Sequence, residues 1–264
     1  MISVNGDPID FTCFPDGTTS FRYDPRLEEE EFVIQWKYDG DHECILLWYL
    51  VHRIRSYDSR AEIILQLPYI PNARMDRVKS SDEVFTLKYF AEFINSLSFD
   101  FVVVRDPHSN VAPALLNNVK VLDARYYIMQ AIANCMTCGE DLLLCYPDEG
   151  AAKRYTELLK REHVFCIKHR DWRTGNIEGL ELTNPELVEG RNVLIVDDIC
   201  SRGGTFTHTA KALREAGAKD IFLYITHCEN TIKKGTILTD GLIKHVYTTG
   251  SIYRGNHEMI TVLF

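Results

Sequence analysis

Long apolar runs are missing from this chain. The longest stretch of aliphatic and aromatic residues, 45–51, falls far short of the roughly 20 residues that a membrane-spanning helix needs. Basic charge is also scarce: 29 Lys and Arg stand against 38 Asp and Glu, a formal net charge of −9. That balance excludes a broad surface for nucleic acid or anionic lipid, so any phosphate binding has to come from a local site. Residues 1–11 carry acids and Pro8 where a secretory signal would carry a basic start and an apolar run, and the expected location is the cytosol. Cys135 and Cys138 have metal-ligand spacing, but no second CxxC and no paired histidines complete a zinc set. The eight cysteines therefore read as reduced thiols.

What is present is an alternation of strand and helix patterns. Residues 32–36, 61–67 and 99–104 read as strands, with helices at 43–55 and 84–97 between them, and a further helix starts near Ala124. A second series comes after it: strand 141–146, helix 151–161, strand 164–168, strand 193–198, helix 206–216 and strand 220–226. Alternation of this kind implies parallel sheets flanked by helices. The two series predict two similar α/β domains, residues 1–138 and 139–264, closely packed around a cleft, with some C-terminal chain able to return to the first. At 264 residues the chain can bury the cores that two such domains require.

The most informative segment is residues 193–205, VLIVDDICSRGGT. A β-branched hydrophobic run ends in Asp197 and Asp198, at the carboxyl end of a strand, where open α/β sheets bind ligands. The loop from Ser201 through Arg202, Gly203 and Gly204 to Thr205 then leads into a helix, whose first N–H groups form an anion site. Two carboxylates beside a phosphate cradle suit a sugar phosphate.

Five other segments carry chemistry. After the strand 61–67, two prolines and Asn72 force an irregular loop that brings Arg74, Asp76 and Arg77 to a strand end. Guanidinium forks there suit phosphate or nucleotide, though a solvated surface cluster has the same composition. Phe14, Pro15, Asp16 and Gly17 form a turn signature between two short strands. His108 sits just past the strand 99–104, a position open to local hydrogen bonding or metal ligation. Asp148 comes just after a strand end and precedes Gly150 and a helix, and Lys168, His169 and Arg170 end another strand with adjacent cations.

Segment 193–205 resembles the phosphoribosyl-pyrophosphate loop shared by type I phosphoribosyltransferases and the synthetases of that metabolite. Taken in order, all six segments resemble the ribose-phosphate pyrophosphokinase family over residues 1–250. The resemblance implies two type I phosphoribosyltransferase-like domains and a reaction between ATP and ribose 5-phosphate. It assigns Asp197 and Asp198 to the ribose hydroxyls, and Ser201, Arg202, Gly203, Gly204 and Thr205 to the 5-phosphate. Arg74, Asp76, Arg77 and His108 fall to ATP, with Phe14 and Asp16 inserted against adenine by a neighbouring subunit of a homo-oligomer. His108 and Asp148 would hold Mg²⁺, Asp148 also touching the ribose, while Lys168 and Arg170 begin a catalytic loop.

The chain departs from the family pattern in places. Ser201-Arg202-Gly203 replaces aspartate-threonine-alanine, one acid lost and one cation gained at the phosphate end. The extra cation is open to three readings: a firmer grip on one phosphate, a side chain turned to solvent, or room for a longer anion such as ADP-ribose, whose 1-diphosphate would serve NAD salvage. Met75 stands for glutamine, and Asn110-Val-Ala-Pro-Ala114 and Asp171-Trp-Arg-Thr-Gly175 differ from the family's segments. A phosphoribosyltransferase, and a non-catalytic subunit that binds the same metabolite, are the rival readings.

Overall fold

The computed structural model describes residues 1–25, 31–136, 141–170 and 177–264, with side chains left undescribed at 168–170 and 177–179. The chain divides into two compact units, Met1–Asp123 and Ala124–Phe264.

In the first unit, β1 (Ile2–Val4), β2 (Asp7–Pro8), β3 (Phe11–Cys13) and β4 (Thr19–Phe21) precede β5 (Glu31–Trp36). Helix α1 (Glu43–Tyr57), β6 (Glu62–Leu67), α2 (Thr86–Ser96), β7 (Phe101–Arg105), α3 (Val111–Leu115) and β8 (Val119–Leu122) complete it. Among the described residues the main sheet has the order β2-β1-β5-β6-β7-β8, and β3 and β4 form a separate hairpin. Strands β5 to β8 run parallel.

Burial alternates along β5 and β6. Phe32, Ile34, Trp36, Ile63, Leu65 and Leu67 are fully buried, while Gln35 and Gln66 lie on the other face with their amides 3.4 Å apart. Both long helices reach the buried face. Trp36 lies 5.9 Å, ring to ring, from Phe90 of α2, and its indole N–H donates to Glu43 of α1 at 2.8 Å. Glu43, 2% exposed, is a buried carboxylate whose position is fixed by that bond and by a second from the Asp39 N–H at 2.8 Å.

The second unit comprises α4 (Arg125–Cys135), β9 (Leu142–Tyr146), α5 (Glu149–Leu159), β10 (His163–Arg170), β11 (Ile177–Leu182), β12 (Asn192–Cys200), α6 (Gly204–Glu215), β13 (Ile221–Cys228), β14 (His245–Thr249) and β15 (Ile260–Leu263). Its sheet has the order β11-β10-β9-β12-β13-β14-β15 among the described residues, parallel except at the β11 edge. The uninterrupted hydrophobic strands are buried on both sides, and their period of two sorts the residues. Leu143, Cys145, Val193 and Ile195 join Phe206, Ala210 and Leu213 of α6 in one cluster. Leu142, Leu144, Tyr146, Leu194 and Val196 join α4 and α5 in the other. Each such aliphatic side chain contributes about 1.5–3 kcal/mol when fully buried, which makes β9 and β12 a rigid floor beneath the loops at their carboxyl ends.

Two sequence expectations are corrected here. The boundary falls between Asp123 and Ala124, not near 138–141, because α4 packs Ile128, Ala131, Ile132 and Cys135 into the second core. Nor does the C-terminal chain return to the first unit. β15 instead extends the second sheet beside β14, with Tyr247 opposite Thr261. Cys135 is buried and free, Cys138 lies outside the described residues, and no described cysteine is in a disulfide. No helix among the described residues is long and apolar enough to cross a membrane.

Candidate active site

The order of the second sheet creates its own crevice. From β9 the chain moves outward to β10 on one side, then returns to lay β12 against the other side of β9. Connections therefore diverge above the carboxyl ends of β9 and β12, the switch point at which open α/β sheets bind ligands. Asp148 lies just past β9, and β12 carries Asp197 and Asp198.

Asp148 caps α5. Its Oδ1 accepts the Ala151 N–H at 3.0 Å, satisfying one of the donors that a helix start leaves open. Asp198 is 4% exposed, and both its oxygens are engaged: Oδ1 accepts the Ile199 N–H at 2.9 Å and Oδ2 accepts Nη1 of Arg154 at 2.8 Å. Asp197 is partly exposed. Burial, then the neighbouring carboxylates of Asp198 and Asp148, push its carboxyl well above the usual range. The two acids of the motif are therefore different groups, one neutralised by an arginine and the other left with excess negative charge.

Beyond β12, Gly203 adopts φ +83° as the residue before α6, and a Cβ there would lie 3.0 Å from Cδ1 of Ile237. Handedness and packing both require glycine at this position. The first bond of the helix runs from the Thr207 N–H to the Gly203 carbonyl at 3.0 Å, so the earlier N–H groups face the loop mouth. The Ser201 hydroxyl meets Thr231 at 3.1 Å, and Thr231 in turn donates to Glu229 at 3.0 Å. Thr205 is half-buried, and Arg202 and Gly204 are exposed.

Lys168 and Arg170 belong to β10, the strand adjoining β9, but their side chains lie outside the described residues, as do residues 171–176 altogether. In the first unit, β6 and β7 are parallel neighbours, so the segment carrying Arg74, Asp76 and Arg77 and the segment carrying His108 leave the same sheet edge. Arg74 and Arg77 are exposed, and Arg77 Nε pairs with Asp76 at 3.8 Å. Asp106, at φ +40°, turns the chain after β7, its N–H donating to the Leu122 carbonyl at 2.9 Å. Phe14, 56% exposed, sits at the tip of the β3–β4 hairpin, where Asp16 accepts the N–H and hydroxyl of Thr18 at 2.9 and 2.7 Å. Those bonds hold the Asp16 carboxyl below its ordinary value.

Sequence reading missed Arg154. It sits nearly two turns beyond the Asp148 cap within the same helix, but nothing local says that it turns toward β12. It also missed Glu229 and Thr231, whose link to Ser201 is a tertiary contact. Among the described residues no group of three or more His, Cys, Asp or Glu is arranged to hold a metal ion.

Comparison with known proteins gives the family. The chain is 34% identical over 227 residues to the ribose-phosphate pyrophosphokinase of Pyrococcus abyssi, covering 83% of this chain and 75% of that protein. It belongs to the ribose-phosphate pyrophosphokinase family. A second ribose-phosphate pyrophosphokinase, from Sulfurisphaera tokodaii, is 28% identical over 261 residues, covering 96% of this chain and 87% of its own. The crystal structure of phosphoribosylpyrophosphate synthetase from Mycobacterium smegmatis shares the fold, with a TM-score of 0.75 at 20% identity, covering 97% of this chain and 85% of that one. Residues 152–239 match the phosphoribosyl transferase domain family. For a pyrophosphokinase-family chain that stretch is the informative one, since it holds Arg154, the acidic pair and the glycine-bearing loop before α6.

Proposed function

We propose that this chain is an ATP-dependent ribose-phosphate diphosphokinase, transferring the β,γ-diphosphoryl group of ATP to the C1 hydroxyl of ribose 5-phosphate. The observation that carries the reading is the grouping of Asp148, Asp197, Asp198 and the α6 loop above two adjoining strands. Hydroxyl acceptors and a phosphate cradle at that spacing fit a phosphorylated ribose.

In the transfer, the C1 oxygen attacks the β-phosphorus. The bond from that phosphorus to the α–β bridging oxygen breaks, AMP leaves with the oxygen, and the hydroxyl proton passes to water. Chemistry of this type rests on alignment and on neutralising charge over phosphate oxygens. Asp197 and Asp198 hold the ribose hydroxyls, and Ser201, Gly203, Gly204 and Thr205 hold the 5-phosphate. Arg74, Asp76 and Arg77 take ATP, with Phe14 and Asp16 of a neighbouring protomer closing over adenine. Lys168 and Arg170 meet the β-phosphate as charge develops.

A hard divalent cation keeps most of its waters and needs only one or two protein carboxylates, so Asp148 would suffice as its ligand in the second unit although no larger group there is arranged for a metal among the described residues. Mg²⁺ would supply neutralisation of the nucleotide's phosphate charge, and we assign His108 of the first unit and Asp148 of the second to it as candidate ligands, each taken by itself.

The first unit favours this reading over a phosphoribosyltransferase, which has no use for Arg74 and Phe14. Phosphorus NMR of the protein with ATP, Mg²⁺ and ribose 5-phosphate tests it. AMP and a new C1 diphosphate are expected. Intact ATP with both ribose 5-phosphate and ADP-ribose would sink the assignment.

A further inference from the structure

The first unit holds a cavity that the diphosphokinase reading leaves unused. The β3–β4 hairpin is a two-stranded sheet separate from the main one. Residues of the hairpin, of β1 and of α1 enclose a space of 380 Å³. That is within the range of small-molecule sites, and more than twice the roughly 150 Å³ that holds a benzene ring.

The lining divides by chemistry. Ile2 of β1 and Leu46 and Leu50 of α1 are buried and give it an apolar floor. Phe11 and Phe21, directly paired across the hairpin, supply an aromatic wall. The His42 ring adds to it, 6.3 Å from that of Phe11.

The charge left open at the cavity is negative. Asp10 and Asp39 line it and are exposed, and neither carboxylate has a hydrogen bond or ion pair among the described residues. Glu43 lines it too, but its oxygens are taken by the Trp36 indole, the Asp39 N–H and the Met1 ammonium. Among the described residues no Lys or Arg lines the cavity. Aromatic rings attract a cation through their faces, and two unpaired carboxylates balance its charge. An anion placed here would meet those carboxylates with nothing to offset them.

We infer that this cavity binds a small organic ammonium ion with an apolar body. The rings and the carboxylates of Asp10 and Asp39 hold the ammonium, and Ile2, Leu46 and Leu50 cover the body. Phe11 and Phe21 are also the base of the hairpin that carries Phe14, so occupancy orders the hairpin. The inference stands apart from the substrate placements above, and measuring it needs neither ATP nor turnover.

Calorimetric titration at constant ionic strength, with 2-phenylethylammonium, neutral 2-phenylethanol and anionic 3-phenylpropionate as separate probes, tests the cavity. The ammonium is expected to bind at least about tenfold more tightly than the alcohol, the size of one partly desolvated cation–π contact. The propionate should bind most weakly. The double variant Asp10→Asn, Asp39→Asn changes only exposed side chains, and should remove the preference while leaving the alcohol within about twofold. Phe11→Leu keeps an apolar residue but no ring, and should weaken the ammonium more than the alcohol. Amide hydrogen exchange over residues 11–21 should slow when 2-phenylethylammonium is bound. No measurable binding of the ammonium, equal binding of ammonium and alcohol, or a preference that survives the double variant overturns the inference. So do equal losses on both probes in Phe11→Leu, and unchanged exchange in the hairpin refutes its ordering.

Discussion

Replacing Asp197 by asparagine should make the protein more stable and almost inactive. The Asp197 carboxyl is forced upward by burial and by the charges of Asp198 and Asp148. A like-charge pair about 4 Å apart costs about 4 kcal/mol at an effective dielectric of about 20. Arg154, 2.8 Å from Asp198, cancels much of the larger share, and the partial exposure of Asp197 screens part of the rest. A net strain of about 1–2 kcal/mol remains, within the range that relief of functional strain commonly returns.

The sign is set by linkage. A carboxyl whose folded-state pKa is raised favours the folded state most below its unfolded value near 3.8, and that contribution is lost as pH rises through the raised value. Asp197→Asn removes the group, so its advantage should be small near pH 4 and grow toward pH 8. Urea denaturation of both proteins at a series of pH values, with AMP release measured alongside, makes the comparison. A variant less stable than wild type at pH 8, or a gain that does not change with pH, would refute the electrostatic reasoning.

Four further outcomes are expected. Arg154→Met strips the cation from a buried carboxylate and should lower stability by about 1–3 kcal/mol, measured by denaturation, with a loss of acceptor binding greater than in a surface control such as Arg60→Met. Gly203→Ala forces a side chain into φ +83° against Ile237, and should cost about 1–2 kcal/mol and weaken sugar-phosphate binding in calorimetry. Lys168→Ala should lower kcat by more than about a hundredfold, as removal of one charge-stabilising donor does, while sugar-phosphate affinity stays nearly intact; near-normal turnover would take Lys168 out of the transfer. Because Phe14 is assigned to a neighbouring protomer's nucleotide, sedimentation should find a dimer or larger, and an active monomer would contradict that assignment.

Legibility from the sequence tracked the range of the interactions concerned. Strands such as Val193 to Val196 announce themselves because burial on both faces demands an unbroken hydrophobic run, and Asp197 and Asp198 are visible as polar residues ending it. Gly203 is legible for the same local reason, a turn into a helix. Strands β8, β14 and β15 were not expected. β8 is a short edge strand with mostly exposed residues, and β14 and β15 lack a helix between them to set the rhythm. The position of α4 was misjudged because its apolar stripe says that it packs, not on which sheet.

The sequence by itself determined the α/β class and the order of motifs that marks the family, and acids at a strand end with a glycine-bearing loop before a helix are what led us to propose a phosphate site there. Tertiary structure decided how the acidic pair divides its labour. Arg154 reaches Asp198 from another element, 44 residues away in the chain, and leaves Asp197 facing uncompensated charge. It also decided what stands beside the loop before α6, where Thr231 meets the Ser201 hydroxyl and Gly235 closes against the Arg202 carbonyl. Contacts between distant segments carry no local pattern, because they depend on which strands become neighbours in the sheet.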